Sequence, residues 1–205
     1  SLNYWDLNNF KEFSLLNKEA LEIAKFLNHL QEEGRCLNNI GLYYWKCDTY
    51  SVALNNCEKA LEISRNLNNK EFEEECLTNI GIIYFDLGKY EKALQYLTEA
   101  LAIDRQLGDD VSIAMDLVNM GEAFRRKGLL TETNEDYYKA LDFYNDSLKL
   151  ARKAKNYKTE ISALNNIGAI YSYLEKYTDA LDYFQSGLKK AEEIKDIEYI
   201  SIILN

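Results

Sequence analysis

Apolar residues recur along this chain at intervals of three and four, and the pattern restarts at a nearly fixed distance. Four glycines, Gly41, Gly81, Gly121 and Gly168, mark the restarts. Asn-Ile or Asn-Met precedes each one, as Asn39-Ile40, Asn79-Ile80, Asn119-Met120 and Asn166-Ile167. Leu stands four residues before (Leu37, Leu77, Leu117, Leu164) and an aromatic three residues after (Tyr44, Tyr84, Phe124, Tyr171). Leu, Ile or Met, and the aromatic therefore occupy i, i+3 and i+7, one stripe of an α-helix. The glycine lies beside the stripe, where a missing side chain lets a second helix approach closely. A second stripe follows: Tyr90, Ala93, Leu94, Leu97, Ala100 and Leu101, matched by Tyr50 to Leu61 and by Tyr177 to Leu188. Its small and large residues alternate, which is how two antiparallel helices interlock.

The glycines are 40, 40 and 47 residues apart, so the pattern predicts an all-α array of one unit, helix A, a tight turn and helix B. The units span 1–33 (partial), 34–73, 74–113, 114–160 and 161–196, with 197–205 opening another; this makes about five antiparallel helix pairs. Helix A is expected to end at Gly88 or Gly128, residues able to take the left-handed conformation. Asn8 and Asp48 fill that place in other units, and Glu175 fills it poorly, which predicts a looser turn. Between units, Asn28-His29, Asn68-Asn69, Gly108-Asp109 and Asn156 accept turn geometry. The seven extra residues of the third gap fall around Thr131 to Asp136. They lengthen the A–B turn or add about two helical turns, with Thr133 or Asn134 as a cap.

Both ends cut through a unit. Tyr4-Trp5-Asp6-Leu7 matches Tyr84-Phe85-Asp86-Leu87, so the chain is expected to begin late in a helix A. The apolar run Tyr199 to Leu204 is the opposite of a polar terminal cap, and is a candidate for self-association.

Composition narrows the chemistry. Proline is absent, which suits a nearly all-helical chain because Pro costs roughly 3 kcal/mol inside a helix. No apolar run approaches the ~20 residues that cross a bilayer, and the N-terminus does not read as a signal peptide. A net charge of −10 argues against nucleic-acid binding, which needs a basic face, and leaves a protein or peptide partner. Cys36, Cys47, Cys57 and Cys76 show no C-x-x-C spacing and have one histidine, His29, for company. A zinc site is therefore not expected, and reduced thiols of a cytoplasmic protein are. No phosphate loop, H-E-x-x-H or nucleophile elbow occurs, so neither an enzyme nor a cofactor is expected.

A helix–turn–helix unit reading Leu, Ile-Gly, Tyr, Ala, Leu or aromatic, Ala resembles the tetratricopeptide repeat over essentially all 205 residues. The 40-residue period and the text Leu-Asn-Asn-Ile-Gly, at Leu37 to Gly41 and Leu164 to Gly168, are similar to the long-helix variety. That variety occurs in kinesin light chain, LGN-type polarity adaptors and bacterial Rap-type regulators. The resemblance implies a right-handed α-α superhelix whose A helices line a concave groove, and a protein-binding scaffold or a peptide-sensing module of a larger bacterial signalling protein.

Adjacent helices stand ~8–10 Å apart and an extended peptide advances ~3.3 Å per residue. An asparagine on each A helix would then meet a peptide backbone about once every three residues, donating and accepting as a peptide group does. Asn39, Asn79, Asn119 and Asn166, with Asn38 and Asn165 beside them, are the candidates. The alternative is a structural hydrogen bond to a neighbouring helix. Nearby, Trp45 and Phe85 offer apolar contact or pack between A helices. Arg125 and Arg126 would hold a carboxylate or form a solvated face, and Glu122 sits just after Gly121. A clamp for the acidic tails of chaperones is not expected. Its lysine places hold Asn38, Thr78, Val118 and Asn165, and its asparagine places hold Leu42, Ile82, Glu122 and Ala169.

Overall fold

The computed structural model describes residues 4–195, with side chains from residue 11 onward. Among the described residues there are nine α-helices and no strand, in two compact units, 1–103 and 104–205. The first holds α1 (Tyr4–Phe26), α2 (Leu30–Lys46), α3 (Tyr50–Asn66), α4 (Lys70–Asp86) and most of α5 (Tyr90–Leu107). The second holds α6 (Asp110–Thr131), α7 (Asn134–Ala154), α8 (Tyr157–Tyr173) and α9 (Tyr177–Ile194). Helices α2, α4, α6 and α8 are the A helices, and α3, α5, α7 and α9 their B partners.

The turns explain why helices of this length pair. Asp48, Gly88 and Glu175 all take left-handed backbone, with φ of 55°, 69° and 59°. Each closes its helix with the same two bonds. The Gly88 and Lys89 N–H groups donate to the Phe85 and Tyr84 carbonyls at 2.8 and 2.9 Å, and the Glu175 and Lys176 N–H groups to those of Ser172 and Tyr171 at 3.1 and 2.9 Å. The turn at Glu175 is therefore as tight as the one at Gly88. Glu175 differs only in its backbone strain, about 1–2 kcal/mol for a left-handed L-residue. Between units, Asn28, Asn68, Gly108 and Lys155 take positive φ. The next residue then caps the following A helix: His29, Asn69, Asp109 and Asn156 each accept a backbone N–H of its first turn.

Two further expectations are corrected. Helix α1 runs without a break from Tyr4 to Phe26, so the chain does not turn at Asn8. An asparagine inside a helix costs only about 0.5 kcal/mol, too little to stop one. The described residues thus form α1 and four A–B pairs, in line with an array of about five pairs whose first is partial. Gly128 does not end its helix either: α6 continues to Thr131, and Glu132 is the left-handed residue. Gly128 serves packing instead, since a Cβ there would lie 2.9 Å from Tyr137 Cε1. The extra residues of this repeat are absorbed in both arms, α6 having 22 residues and α7 21 against 17 in α2 and α3. The turn stays short at Glu132-Thr133, and Thr133 occupies the N-cap without a side-chain bond to the helix backbone, its hydroxyl pairing instead with that of Thr131 at 3.0 Å. The segment Tyr199 to Leu204 lies outside the described residues.

The four marker glycines sit where the pairs touch. A Cβ on Gly41 would lie 2.4 Å from Cys57 Sγ, on Gly81 2.9 Å from Leu97 Cδ2, on Gly121 2.6 Å from Tyr144 Cε1, and on Gly168 2.8 Å from Phe184 Cε1. The helix-A aromatics stack on a B-helix aromatic at one repeated position, as Tyr84 on Tyr96, Phe124 on Phe143 and Tyr171 on Tyr183, with ring centres 5.4–5.5 Å apart. Between these layers Leu77, Ile80 and Ile83 in the first unit, and Tyr144, Ile167 and Ile170 in the second, are wholly buried. All four cysteines are free thiols, three buried and Cys47 exposed; burial pushes Cys57 up to about 12. No described helix is long and apolar enough to cross a membrane.

Candidate functional site

Asparagine on an A helix falls beside the buried stripe, at the seam with the next A helix. In the first unit that seam is closed. Asn38 is 1% exposed; its Nδ2 donates to Glu75 Oε1 at 2.8 Å and its Oδ1 accepts from Asn79 Nδ2 at 3.1 Å. One amide of α2 is thus tied to two side chains of α4. One helix earlier, Asn39 Nδ2 donates to Asn17 Oδ1 at 2.9 Å, and Asn17 Nδ2 to the Phe13 carbonyl at 2.8 Å. Each bond contributes about 1 kcal/mol net. Burial pushes the Glu75 carboxyl up, against the pull of Arg35 and Asn38.

The corresponding seam of the second unit, between α6 and α8, is built differently. Val118 stands where the first unit has Asn38, Ser162 where it has Glu75, and Asn166 where it has Asn79. A valine can neither donate nor accept, so the bridge cannot form. Asn119, Asn165 and Asn166 are half-buried, and their side-chain amides bond to no other described residue. A cleft of about 350 Å³ opens here, lined by Met115, Val118, Asn119, Asn156, Lys158, Thr159 and Ser162.

The other candidate residues are held by the protein itself. Trp45 is half-buried against the first unit's core; its Nε1–H donates to Asp86 Oδ2 at 2.6 Å, and Lys46 Nζ lies 4.0 Å from its ring centre. Phe85 packs on the same core, edge-on to Tyr90. Glu122 is the hub of a network on α6. Arg125 Nε donates to its Oε2 at 2.7 Å, Arg126 Nε to its Oε1 at 3.0 Å, and the Tyr144 hydroxyl to its Oε2 at 3.1 Å. Arg125, with its side chain 13% exposed, also reaches the Tyr173 hydroxyl at 3.2 Å. Burial pushes the Glu122 carboxyl up, but the bonds from Arg125 and then Arg126 outweigh it and hold the carboxyl below its usual range. The Arg125 guanidinium is occupied by this internal carboxylate.

Sequence reasoning missed Met115, Lys158, Thr159 and Ser162 as members of one cleft. Reading Asn119 and Asn166 one column at a time concealed them; comparing whole rungs, Asn38 with Glu75 and Asn79 against Val118 with Ser162 and Asn166, exposes the difference.

Four helix hairpins of one design, matched in turn, cap and glycine contact, define a helix-hairpin repeat protein. The repeat is a known one. The chain belongs to the tetratricopeptide repeat family, whose model matches residues 32–106, 73–132 and 112–193. Comparison with curated proteins finds no match. Among solved structures the chain is similar to a Rap protein complexed with competence and sporulation factor, at 23% identity and TM-score 0.80 over 96% of this chain and 53% of that one. It is similar to the Rap conjugation gene regulator of plasmid pLS20 in complex with the Phr* peptide, at 19% identity and TM-score 0.71 over 96% and 52%. A kinesin light chain with TPR-like repeats from Podosopora anserina matches at 11% identity and TM-score 0.73 over 92% and 89%. The chain spans about half the length of the two Rap structures.

Proposed function

We propose that this chain is a non-catalytic module that binds a peptide or an extended protein segment along its A helices, principally on the second unit. One observation carries the reading. The amides of Asn119, Asn165 and Asn166 stand half-buried with no partner among the described residues, Asn119 lining the α6–α8 cleft, while the first-unit amides of Asn38, Asn39 and Asn79 are engaged in packing. The second-unit amides are not among the enclosed orphan groups, so water reaches them, and a peptide backbone can replace that water by donating and accepting at once. The Rap structures bound to a competence and sporulation factor and to the Phr* peptide support this reading by analogy of fold alone. The partner is a peptide or protein, with neither nucleic acid, membrane, cofactor nor metal in the mechanism, and the compartment is the cytoplasm, where the buried thiols remain reduced.

A second reading, a peptide-sensing module of a larger bacterial signalling protein, draws support from the similarity to Rap proteins about twice as long. It uses the same face and differs in what the binding event controls.

The test is affinity selection from a pool of synthetic hexapeptides. Asn119→Ala with Asn166→Ala is expected to lower retention about tenfold, the loss of two hydrogen bonds, with Tm unchanged. Asn38→Ala is expected to lower Tm instead. Unchanged retention in the double variant, or no retained peptide at all, would refute the reading.

A further inference from the structure

The B helices of the second unit carry a groove that the A-helix reading does not use. Two hollows of about 380 and 250 Å³ lie along α7, α8 and α9 and share Arg152, Leu164 and Ser186, so they form one groove. Its floor is apolar, with Leu148 and Leu164 buried. Its walls carry cations, Lys149 and Arg152 from α7 and Lys189 and Lys190 from α9.

The first unit shows what fills the same place there. Tyr84 stacked on Tyr96 matches Tyr171 stacked on Tyr183, which sets Arg65 against Arg152, Glu73 against Glu160 and Glu99 against Ser186. Both arginines use Nε alike: Arg65 Nε donates to Glu73 Oε1 and Arg152 Nε to Glu160 Oε1, each at 3.0 Å. Arg65 also donates from Nη2 to Glu99 Oε2 at 3.0 Å. Arg152 meets a serine instead. The Ser186 hydroxyl donates to the Asp182 carbonyl of its own helix at 2.8 Å, and the Nη atoms of Arg152 hydrogen-bond to no described residue. The Arg152 side chain is 56% exposed.

The surrounding charges change in the same direction. Glu58 and Glu62 of α3 give way to Asn145 and Lys149 of α7, and Ala102 and Ile103 of α5 to Lys189 and Lys190 of α9. Lys189 is exposed and forms no ion pair or hydrogen bond with any described residue. Three acids line the groove. Glu160 is held by Arg152, Glu193 is held by Lys190 at 2.9 Å, and Asp182 lines the larger hollow only. A groove that is acidic in one unit is therefore basic around Arg152 in the other, in a chain of net charge −10. A guanidinium with a free edge receives a carboxylate, and the Arg65–Glu99 bond is that contact made within one chain.

We propose that the α7–α9 groove docks an acidic segment of a partner protein. One carboxylate of that segment takes on Arg152 the place that Glu99 takes on Arg65, and its neighbours meet Lys149 and Lys189. Ser186 in place of a glutamate is what opens the site. This surface lies on the B helices and stands independently of the A-helix amides.

The probe is a dodecapeptide alternating Glu with Ala, blocked at both ends and fluorescently labelled, read by anisotropy against its Gln–Ala counterpart. The Glu peptide is expected to bind at least about tenfold more tightly, the scale of two or three exposed ion pairs, and the difference to fade at high salt. Lys149→Glu, Ser186→Glu and Lys189→Ala, all at exposed positions, together restore the first unit's residues. That triple variant is expected to lose the preference with its circular dichroism spectrum unchanged. Equal binding of the two peptides, a preference that survives in the triple variant, or tighter binding of a single-stranded oligonucleotide than of the Glu peptide would overturn the inference. Each of these results leaves the reading of Asn119 and Asn166 standing, because that reading is tested by their own substitutions.

Discussion

Replacing the marker glycines by alanine separates the four helix pairs by what each glycine faces. On helix propensity alone each change stabilises by about 1 kcal/mol. At Gly121 the new Cβ would lie 2.6, 2.8 and 2.9 Å from Cε1, Cδ1 and Cζ of Tyr144. That ring has no exposed surface, and its hydroxyl is fixed to Glu122 at 3.1 Å. It must shift by most of an ångström to restore ordinary contact, and both its edge and its tip resist. Overpacking of this kind costs about 1–3 kcal/mol, and weakening the Tyr144–Glu122 bond adds about 1 kcal/mol. Gly121→Ala is therefore expected to destabilise by about 2 kcal/mol net. At Gly81 the atoms in the way are Leu97 Cδ2 and Cγ, both at 2.9 Å, with the nearest backbone atom at 3.5 Å. Leu97 is also buried, at 1% exposed, but no hydrogen bond fixes it, so Gly81→Ala is expected to cost about 1 kcal/mol less than Gly121→Ala. Urea unfolding followed by far-ultraviolet circular dichroism measures both, comparing midpoints at constant slope. Tyr144→Leu, which installs the leucine of the α5 position, should remove most of the cost of Gly121→Ala in a double-mutant cycle. Equal stability of the Gly121→Ala and Gly81→Ala proteins would refute the idea that the B-helix partner sets the spacing.

Two further outcomes follow from the turns and the Glu122 network. Glu175→Gly removes left-handed strain at φ 59° and should stabilise by about 0.5–1 kcal/mol after glycine's extra unfolded-state entropy; a lower Tm would show that the Glu175 side chain contributes more than the strain costs. The Glu122 carboxyl titrates below its usual range in the folded chain, so its contribution is complete above the unfolded value of about 4.3 and is lost as pH falls through the folded one. The Tm gap between the wild type and Glu122→Gln should be widest near pH 7 and shrink below about pH 4; a gap that stays constant down to pH 3 would contradict the assignment.

The fold was legible because its determinants are local. Leu77, Ile80 and Tyr84 declare a helical stripe by spacing, and Gly88 declares a stop by its freedom at positive φ. Each works without knowledge of the rest of the chain. Gly128 misled for the same reason in reverse. A glycine at a helix end and a glycine under a tyrosine look alike in sequence, and only the position of Tyr137 distinguishes them. Asn8 misled because the tolerance of a helix for asparagine is wide. The candidate site was less legible, because its content is pairwise. Whether Asn38 is free depends on residues 37 and 41 positions away, Glu75 and Asn79, and whether Arg125 is free depends on Glu122 one turn back and Tyr173 on another helix. Net charge and composition carry no information about such pairings.

The difference between the two units also accounts for how one repeated residue serves two purposes. An amide at the A-helix seam is costly alone and satisfied in pairs, so a repeat that keeps Asn38, Glu75 and Asn79 together gains about 2 kcal/mol from their two bonds and closes its face. Substituting valine for the first member forfeits those bonds and leaves Asn166 without its equivalent partner. An amide left open in this way is satisfied by water, and a peptide backbone is a partner that can replace that water in both directions. On the proposed reading the marker asparagine is a packing residue where the neighbouring A helix offers an amide, as Asn38 does to Asn79, and is left open to a peptide where that helix offers a valine, as Val118 stands opposite Asn166.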